Sequence, residues 1–321
     1  MDLMSEAFEI LELGKVDWRK YLHDQGETGR VKSPADFREE AYQVLENINT
    51  GLGAKMPWEK THLQFQFRPS EFSIWAGSGG SGKSLLTTQY ALQLANQGMK
   101  GCIWSPEMTA PAQVARLVRQ CTGLASPTQQ VFRQALEWMD ENIYLYVRES
   151  TPSEDELVGI SRFCRQELGV GFFVIDSLMK AVAGTDDYNR QKNFCDRMAR
   201  EARDTGMHIA LVAHTRKSQK DTDQVDRMDI AWTSSISDLA DVVGVLNRNR
   251  QQDRELENVS HYGAEETLGV KFNETVRPDP DAFLRIAKQR HGSGWEGSFG
   301  LWFDRASQCF TESQEPWRGF V

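Results

Sequence analysis

The run Gly77-Ser78-Gly79-Gly80-Ser81-Gly82-Lys83-Ser84 fits G-x-x-x-x-G-K-[ST] at every fixed position, and no other stretch constrains the chain as tightly. Small residues let successive backbone N–H groups curl around a phosphate, and the helix that follows presents its positive N-terminal end to it. In this pattern Lys83 reaches the β- and γ-phosphates and the Ser84 hydroxyl can hold Mg²⁺. The flanks agree: residues 72–76 are apolar and strand-like, while Leu85, Tyr90, Leu92 and Leu94 fall in a helix-forming run. A chance Gly/Ser-rich turn would have neither flank. Residues 77–84 therefore read as a P-loop for ATP or a dNTP with Mg²⁺.

From residue 72 onward, apolar strand-like runs at 72–76, 101–104, 143–147, 172–175, 208–213, 242–246, 282–286 and 298–303 alternate with helical patterns at 85–97, 110–121, 154–168 and 189–205. The alternation predicts an α/β fold with a mostly parallel central sheet covered on both faces. Ligands in such sheets bind beyond the carboxyl ends of the strands, so each strand end is a place for chemistry. Before this core, residues 1–32 read as a docked arm or tail with a short helix over 3–13. Residues 34–49 read as a helix capped by Ser33, opened by Pro34 and carrying Phe37, Ala41, Val44, Leu45 and Ile48 at helical spacing. That helix either packs on its own domain or docks on a neighbouring subunit. The expected division is an N-terminal arm and linker over 1–57 and an NTPase domain over 58–321. Residues 249–281 are polar and read as an exposed excursion.

At 321 residues, with 40% hydrophobic and 26% charged residues, the chain has the makeup of a globular protein with a full core. No apolar run approaches the roughly 18 residues of a membrane span. The acidic start, with Asp2, Glu6, Glu9 and Glu12, is unlike a signal peptide, so the expectation is cytoplasmic with no membrane partner. The cysteines, Cys102, Cys121, Cys164, Cys195 and Cys309, are scattered without a C-x-x-C pair, which argues against a zinc module or a disulfide framework. A net charge of −9 excludes a protein that coats nucleic acid with its whole surface. It leaves room for a local basic lining.

Three strand ends carry candidate chemistry. Glu107 follows the 101–104 strand, where a carboxylate either polarises a water for attack on a γ-phosphate or is simply a solvated acid before a helix. Asp176 closes the apolar run 172–175 and has the layout of a Mg²⁺-holding acid opposite Ser84. His214 closes 209–213 and either senses the γ-phosphate or is an ordinary histidine. Two basic loops follow, one with Lys180, Arg190 and Lys192 and one with Arg216, Lys217 and Lys220; each either contacts a nucleic-acid backbone or is solvated charge.

The ordered set GSGGSGKS, YALQLANQGMKGCIWSPEM, FFVIDSL, HIALVAHTRK, TSSISDLADVVGVLNRN and LRIAKQRHGSGWEGSFGLWF resembles the RecA-like motor domain of the DnaB-like replicative helicases. The likeness is strongest to the helicase halves of phage primase-helicases and of Twinkle, and it covers about residues 50–311. It implies that Glu107 activates water, Asp176 binds magnesium, His214 reads the γ-phosphate, and Arg290 is an arginine finger reaching a neighbouring subunit's nucleotide. It also implies that Arg248 and Phe303 stack on the base, that the 34–49 helix is exchanged between subunits, and that Arg216, Lys217 and Lys220 line a channel. One departure is Asp238, where the family usually has glutamine. The primase half is expected to be absent.

The resemblance thus implies a ring-forming, hexameric, NTP-driven helicase moving on single-stranded DNA, with a separate primase, polymerase or loader as partner and a phage as source. Two other readings stand beside it: a recombinase-like DNA-dependent ATPase that does not unwind, and a nucleotide-binding replication scaffold.

Overall fold

The computed structural model describes residues 11–12, 17–22, 33–39, 41–43, 45, 53–148, 151–182, 188–214, 233–249 and 279–321. In chain order the strands are β1 Leu11–Glu12, β2 Phe72–Gly77, β3 Gly101–Trp104, β4 Ile143–Val147, β5 Phe172–Asp176, β6 His208–His214, β7 Val242–Arg248, β8 Ala282–Gln289, β9 Gly297–Asp304 and β10 Cys309–Thr311. The helices are α1 Lys83–Asn96, α2 Ala110–Thr122, α3 Gln129–Asp140, α4 Glu154–Leu168, α5 Leu178–Ala181, α6 Tyr188–Thr205 and α7 Thr233–Leu239. Every strand expected from residue 72 onward is present, and so are the four expected helices.

The strands form one sheet in the order β1-β4-β3-β5-β6-β2-β7-β8-β9-β10. Pairing is parallel from β1 to β7 and antiparallel from β7 to β10. Successive strand residues point to opposite faces, and the apolar sequence fills both. Phe72, Ile74, Phe173, Ile175, Ile209 and Leu211 join one core with residues of α4 and α6. Trp75, Ile103, Phe172, Val174 and Ala210 join the other with residues of α1, α2 and α3. Burial on both faces is why these strands read as continuous apolar runs rather than alternating ones. All five cysteines are free and buried, as core residues.

The second core contains an aromatic cluster in which Phe67 lies 5.9 Å from Trp75 and 4.9 Å from Tyr90, ring centre to ring centre. Ala54 pairs with Phe67 across an isolated bridge, and Met56 and Trp58 are fully buried, so the chain joins this core from about residue 54. The antiparallel edge is locked to α1 by Gln89. Its Oε1 accepts from the Phe310 N–H and its Nε2–H donates to the Phe310 carbonyl, both at 2.8 Å. Trp58 Nε1–H donates to that same carbonyl, also at 2.8 Å.

Several expectations need correction. Helix α3 lies where no element is expected, although Val131, Ala135 and Met139 have helical spacing and the Thr128 hydroxyl caps Val131 N–H at 3.4 Å. Leu11–Glu12, expected to be helical, is a short strand paired with Tyr146 and Val147; the rest of 3–13 lies outside the described residues. The 34–49 segment opens as a 3-10 turn, Pro34–Phe37, with a Ser33/Asp36 capping box, and continues as helix where described. Phe37, Tyr42 and Leu45 there are 46%, 59% and 59% exposed, so these side chains are not packed on the core. Most of 249–281 lies outside the described residues.

Replacing Gln89 by leucine keeps the volume but strands the Phe310 N–H in a dry site. The expected loss is about 1–3 kcal/mol of unfolding free energy, read as a lower denaturant midpoint with an unchanged slope.

Candidate functional site

Parallel register brings the ends of β2, β3, β5, β6 and β7 to one edge of the sheet. Gly77 pairs with His214 and Trp104 with Ile175, which puts the P-loop, Glu107, Asp176 and His214 together. Arg248 ends β7 at this same edge.

The loop's glycines divide into two kinds. A Cβ on Gly77 would lie 2.5 Å from the Leu246 carbonyl oxygen, and one on Gly82, whose φ is +92°, would lie 2.8 Å from the Phe310 ring. These two are pressed against the protein and need to be glycine. Around Gly79 and Gly80 a Cβ would meet nothing within 4 Å. That open backbone, at the N-terminus of α1, is where a phosphate would be cradled. The buried Ser81 hydroxyl has no partner among the described residues.

The charged groups are strongly desolvated. Lys83 is 4% exposed, and its Nζ donates to the Ser78 carbonyl at 2.7 Å. Burial pushes its pKa down to about 8, opposed by the negative charge of Asp176 and Glu107. Asp176 is 3% exposed. Burial raises its pKa; a hydrogen bond from Ser84 opposes this, the Glu107 charge adds to it, and a hydrogen bond from Ser105 Oγ at 3.3 Å opposes it. Its Oδ1 is buried with no partner among the described residues. An orphaned carboxylate oxygen beside the Ser84 hydroxyl is the oxygen donor set that Mg²⁺ takes. The residues therefore fit a magnesium-bound triphosphate.

His214 Nε2 lies 4.0 Å from Glu107 Oε1, an ion pair only when the ring is protonated. Burial, with the Lys83 charge added, lowers the His214 pKa despite Glu107. The imidazole is accordingly neutral at neutral pH. Phe303 packs against Phe310 with the rings tilted and 5.3 Å between ring centres, and Phe310 contacts Gly82, so Phe303 flanks the loop from the antiparallel side.

The remaining expected residues lie elsewhere. Arg290 follows β8 at the opposite edge of the sheet, where its Nη1 donates to Asp241 Oδ1 at 2.8 Å and its Nη2 to the Asp238 carbonyl at 2.7 Å. Arg190 and Lys192 sit on α6, not on a loop, and Arg190 pairs with Glu154 at 3.4 Å. Arg216, Lys217 and Lys220 lie outside the described residues.

Two residues escape the sequence reading. Ser105, beside Glu107, binds the Asp176 carboxylate. Arg116 on α2 feels both Asp176 and Glu107. Its one sequence signal is spacing: Gln113, Arg116 and Gln120 form a polar stripe on a helix whose Leu117, Val118 and Cys121 are buried.

A parallel sheet with a P-loop after one strand and a buried acid closing another defines a RecA-like P-loop ATPase fold. The family profile described as AAA domain matches residues 55–220, and the chain belongs to that family. Its fold is similar to a solved ATPase domain, with a TM-score of 0.68 and 16% identity over 88% of this chain and 100% of that one. It is also similar to a DnaB-like replicative helicase solved to show its interactions with primase, with a TM-score of 0.66 and 15% identity over 89% of this chain and 68% of that one.

The depressed Lys83 ammonium predicts a pH dependence of nucleotide binding. A bound phosphate stabilises the charged form, so binding is at full strength below about pH 8 and weakens above it. The expected slope approaches about tenfold per pH unit. Titration with a fluorescent triphosphate from neutral to alkaline pH measures it, and Lys83→Arg, which keeps its charge throughout, should flatten it.

Proposed function

We propose that this protein is a ring-forming, hexameric, NTP-driven replicative DNA helicase that moves along single-stranded DNA. The observation that carries the proposal is the split placement of its groups: Gly77–Ser84, Glu107, Asp176 and His214 at one edge of the sheet, and Arg290 at the other. Likeness of fold to a solved ATPase domain and to a DnaB-like helicase supports it. The arm over 1–57 and the NTPase domain over 58–321 are part of the proposal, with the linker merging into the core near Met56.

In this reading the backbone of residues 78–82 and Lys83 hold the triphosphate, and Ser84 and Asp176 hold Mg²⁺. The bound metal supplies charge neutralisation at the phosphates. Glu107 orients the attacking water and takes its proton as the oxygen adds to the γ-phosphorus and the bond to the bridging oxygen breaks. His214, neutral and close to Glu107, reads whether the γ-phosphate is present. Arg248 and Phe303 flank the base. Arg290 reaches the nucleotide of the adjacent subunit and stabilises the transferring phosphoryl group. Arg216, Lys217 and Lys220 line the channel, with Arg190 and Lys192 as secondary backbone contacts. A few inward cations suffice for a chain of net charge −9. The protein acts in the cytoplasm, a phage-infected one on the likeness noted above, with a separate primase, polymerase or loader.

Unwinding of a forked duplex tests the proposal. The wild type should separate strands with NTP and Mg²⁺, and Lys83→Ala and Arg290→Ala should each lose about 10²-fold or more in hydrolysis. Hydrolysis stimulated by DNA but without strand separation would favour the recombinase-like reading. Tight binding without turnover would favour the scaffold.

A further inference from the structure

Arg116 is a fixed cation on the helix that directly follows Glu107. Its Nε is buried without a hydrogen-bond partner among the described residues, and Gln113 Nε2, one turn earlier on that helix, is in the same condition. A guanidinium cannot shed its proton to escape such a site, and a buried N–H left without an acceptor is costly. The carboxylates whose charge reaches it are Asp176 and Glu107. Asp176 is 3% exposed, with Oδ2 held by Ser105 and Oδ1 left, in the proposed function, for Mg²⁺. The Glu107 side chain is 39% exposed, and its ionic neighbour His214 stands at 4.0 Å, beyond hydrogen-bond reach. Of the two acids, Glu107 is the one free to be re-aimed.

We propose that Arg116 is the positioning residue for Glu107: in the nucleotide-bound state its guanidinium fork pairs with the Glu107 carboxylate and holds it directed at the attacking water. A bidentate pair suits the task, because it fixes the plane of the carboxylate as well as its place. The inference rests on the hydrolase reading of this site. Besides Arg116 on α2, the charged groups facing Glu107 are Lys83 on α1, Asp176 on β5 and His214 on β6. Arg116 alone among them has no assigned task, and its Nε is buried without an acceptor among the described residues.

The test compares wild type, Arg116→Met, Arg116→Lys and Glu107→Gln by single-turnover hydrolysis across pH, with equilibrium binding of a fluorescent triphosphate alongside. Arg116→Met should lower the hydrolysis rate roughly tenfold to a hundredfold while leaving nucleotide affinity within a few-fold. It should also move the acid limb of the rate profile to higher pH, because removing a cation makes a carboxylate easier to protonate. The titration of His214 is common to both proteins and cancels in the difference. Arg116→Lys keeps the charge and loses the fork, so its acid limb should stay in place while its rate falls. In a Glu107→Gln background, Arg116→Met should cost little more. An unshifted acid limb, or losses that simply multiply in the double variant, would overturn the inference while leaving the hydrolase reading intact. Absence of hydrolysis by the wild type would overturn both. Should Arg116→Met fail to fold, an acid limb that shifts in Arg116→Lys would overturn it, and one that stays put with a reduced rate would support it.

Discussion

The phosphate loop works only because two other parts of the chain press against it. Gly77 lies under the Leu246 carbonyl of β7 and Gly82 under the Phe310 ring of β10, and neither contact leaves space for a side chain. Phe310 is in turn held by both ends of the Gln89 amide and by the Trp58 indole. Gln89 belongs to the very helix whose N-terminus faces the phosphates. The loop, its helix and the antiparallel end of the sheet therefore form one mechanical unit. A displacement of the loop at Gly82 would meet the Phe310 ring, which in turn packs on Phe303.

Around that loop the protein buries charge that it does not pair internally. Lys83 is forced toward neutrality by burial, Asp176 is forced toward protonation, and Arg116, which feels the Asp176 charge, has its Nε buried without an acceptor among the described residues. In a folded core these groups are destabilising. They make sense when an anion and a cation complete the set: phosphate oxygens opposite Lys83, a metal opposite the free Asp176 oxygen. Stability given up by burying these groups is recovered as binding energy, and the groups need little rearrangement when the ligand arrives.

How far the sequence discloses this differs by residue. The P-loop is legible because its chemistry demands fixed residue types at fixed spacing. The strands of the sheet are legible because burial on both faces leaves unbroken apolar runs. Asp176 and His214 are legible as polar stops on such runs, and their meeting follows from parallel register. Helix α3 is equally readable from Val131, Ala135 and Met139; its polar outer face and the turn-rich stretch before it hide the period. Arg116 carries no motif: what singles it out is a buried Nε without an acceptor among the described residues, and only the packed structure reveals that. The cations at 190 and 192 are legible in charge but not in placement: a basic residue after a strand suggests a loop, whereas both sit on α6 and Arg190 pairs with Glu154.

The location of Arg290 bears on assembly by simple geometry. Its backbone N–H donates to the Asp241 carbonyl, at the start of β7, whereas the P-loop edge lies at the far end of that strand. Seven extended residues from Val242 to Arg248 span about 20 Å, several times the reach of an arginine side chain. Arg290 cannot serve the nucleotide of its own chain. It is held instead by Asp241, whose other carboxylate oxygen accepts from the Phe72 N–H at 3.0 Å, at the first residue of the strand that runs into the P-loop. A guanidinium withdrawn from Asp241 by a neighbouring nucleotide would alter the charge at the root of β2. On the proposed function, an inter-subunit contact at one edge of the sheet would thereby be sensed along the strand that carries the phosphate loop at the other.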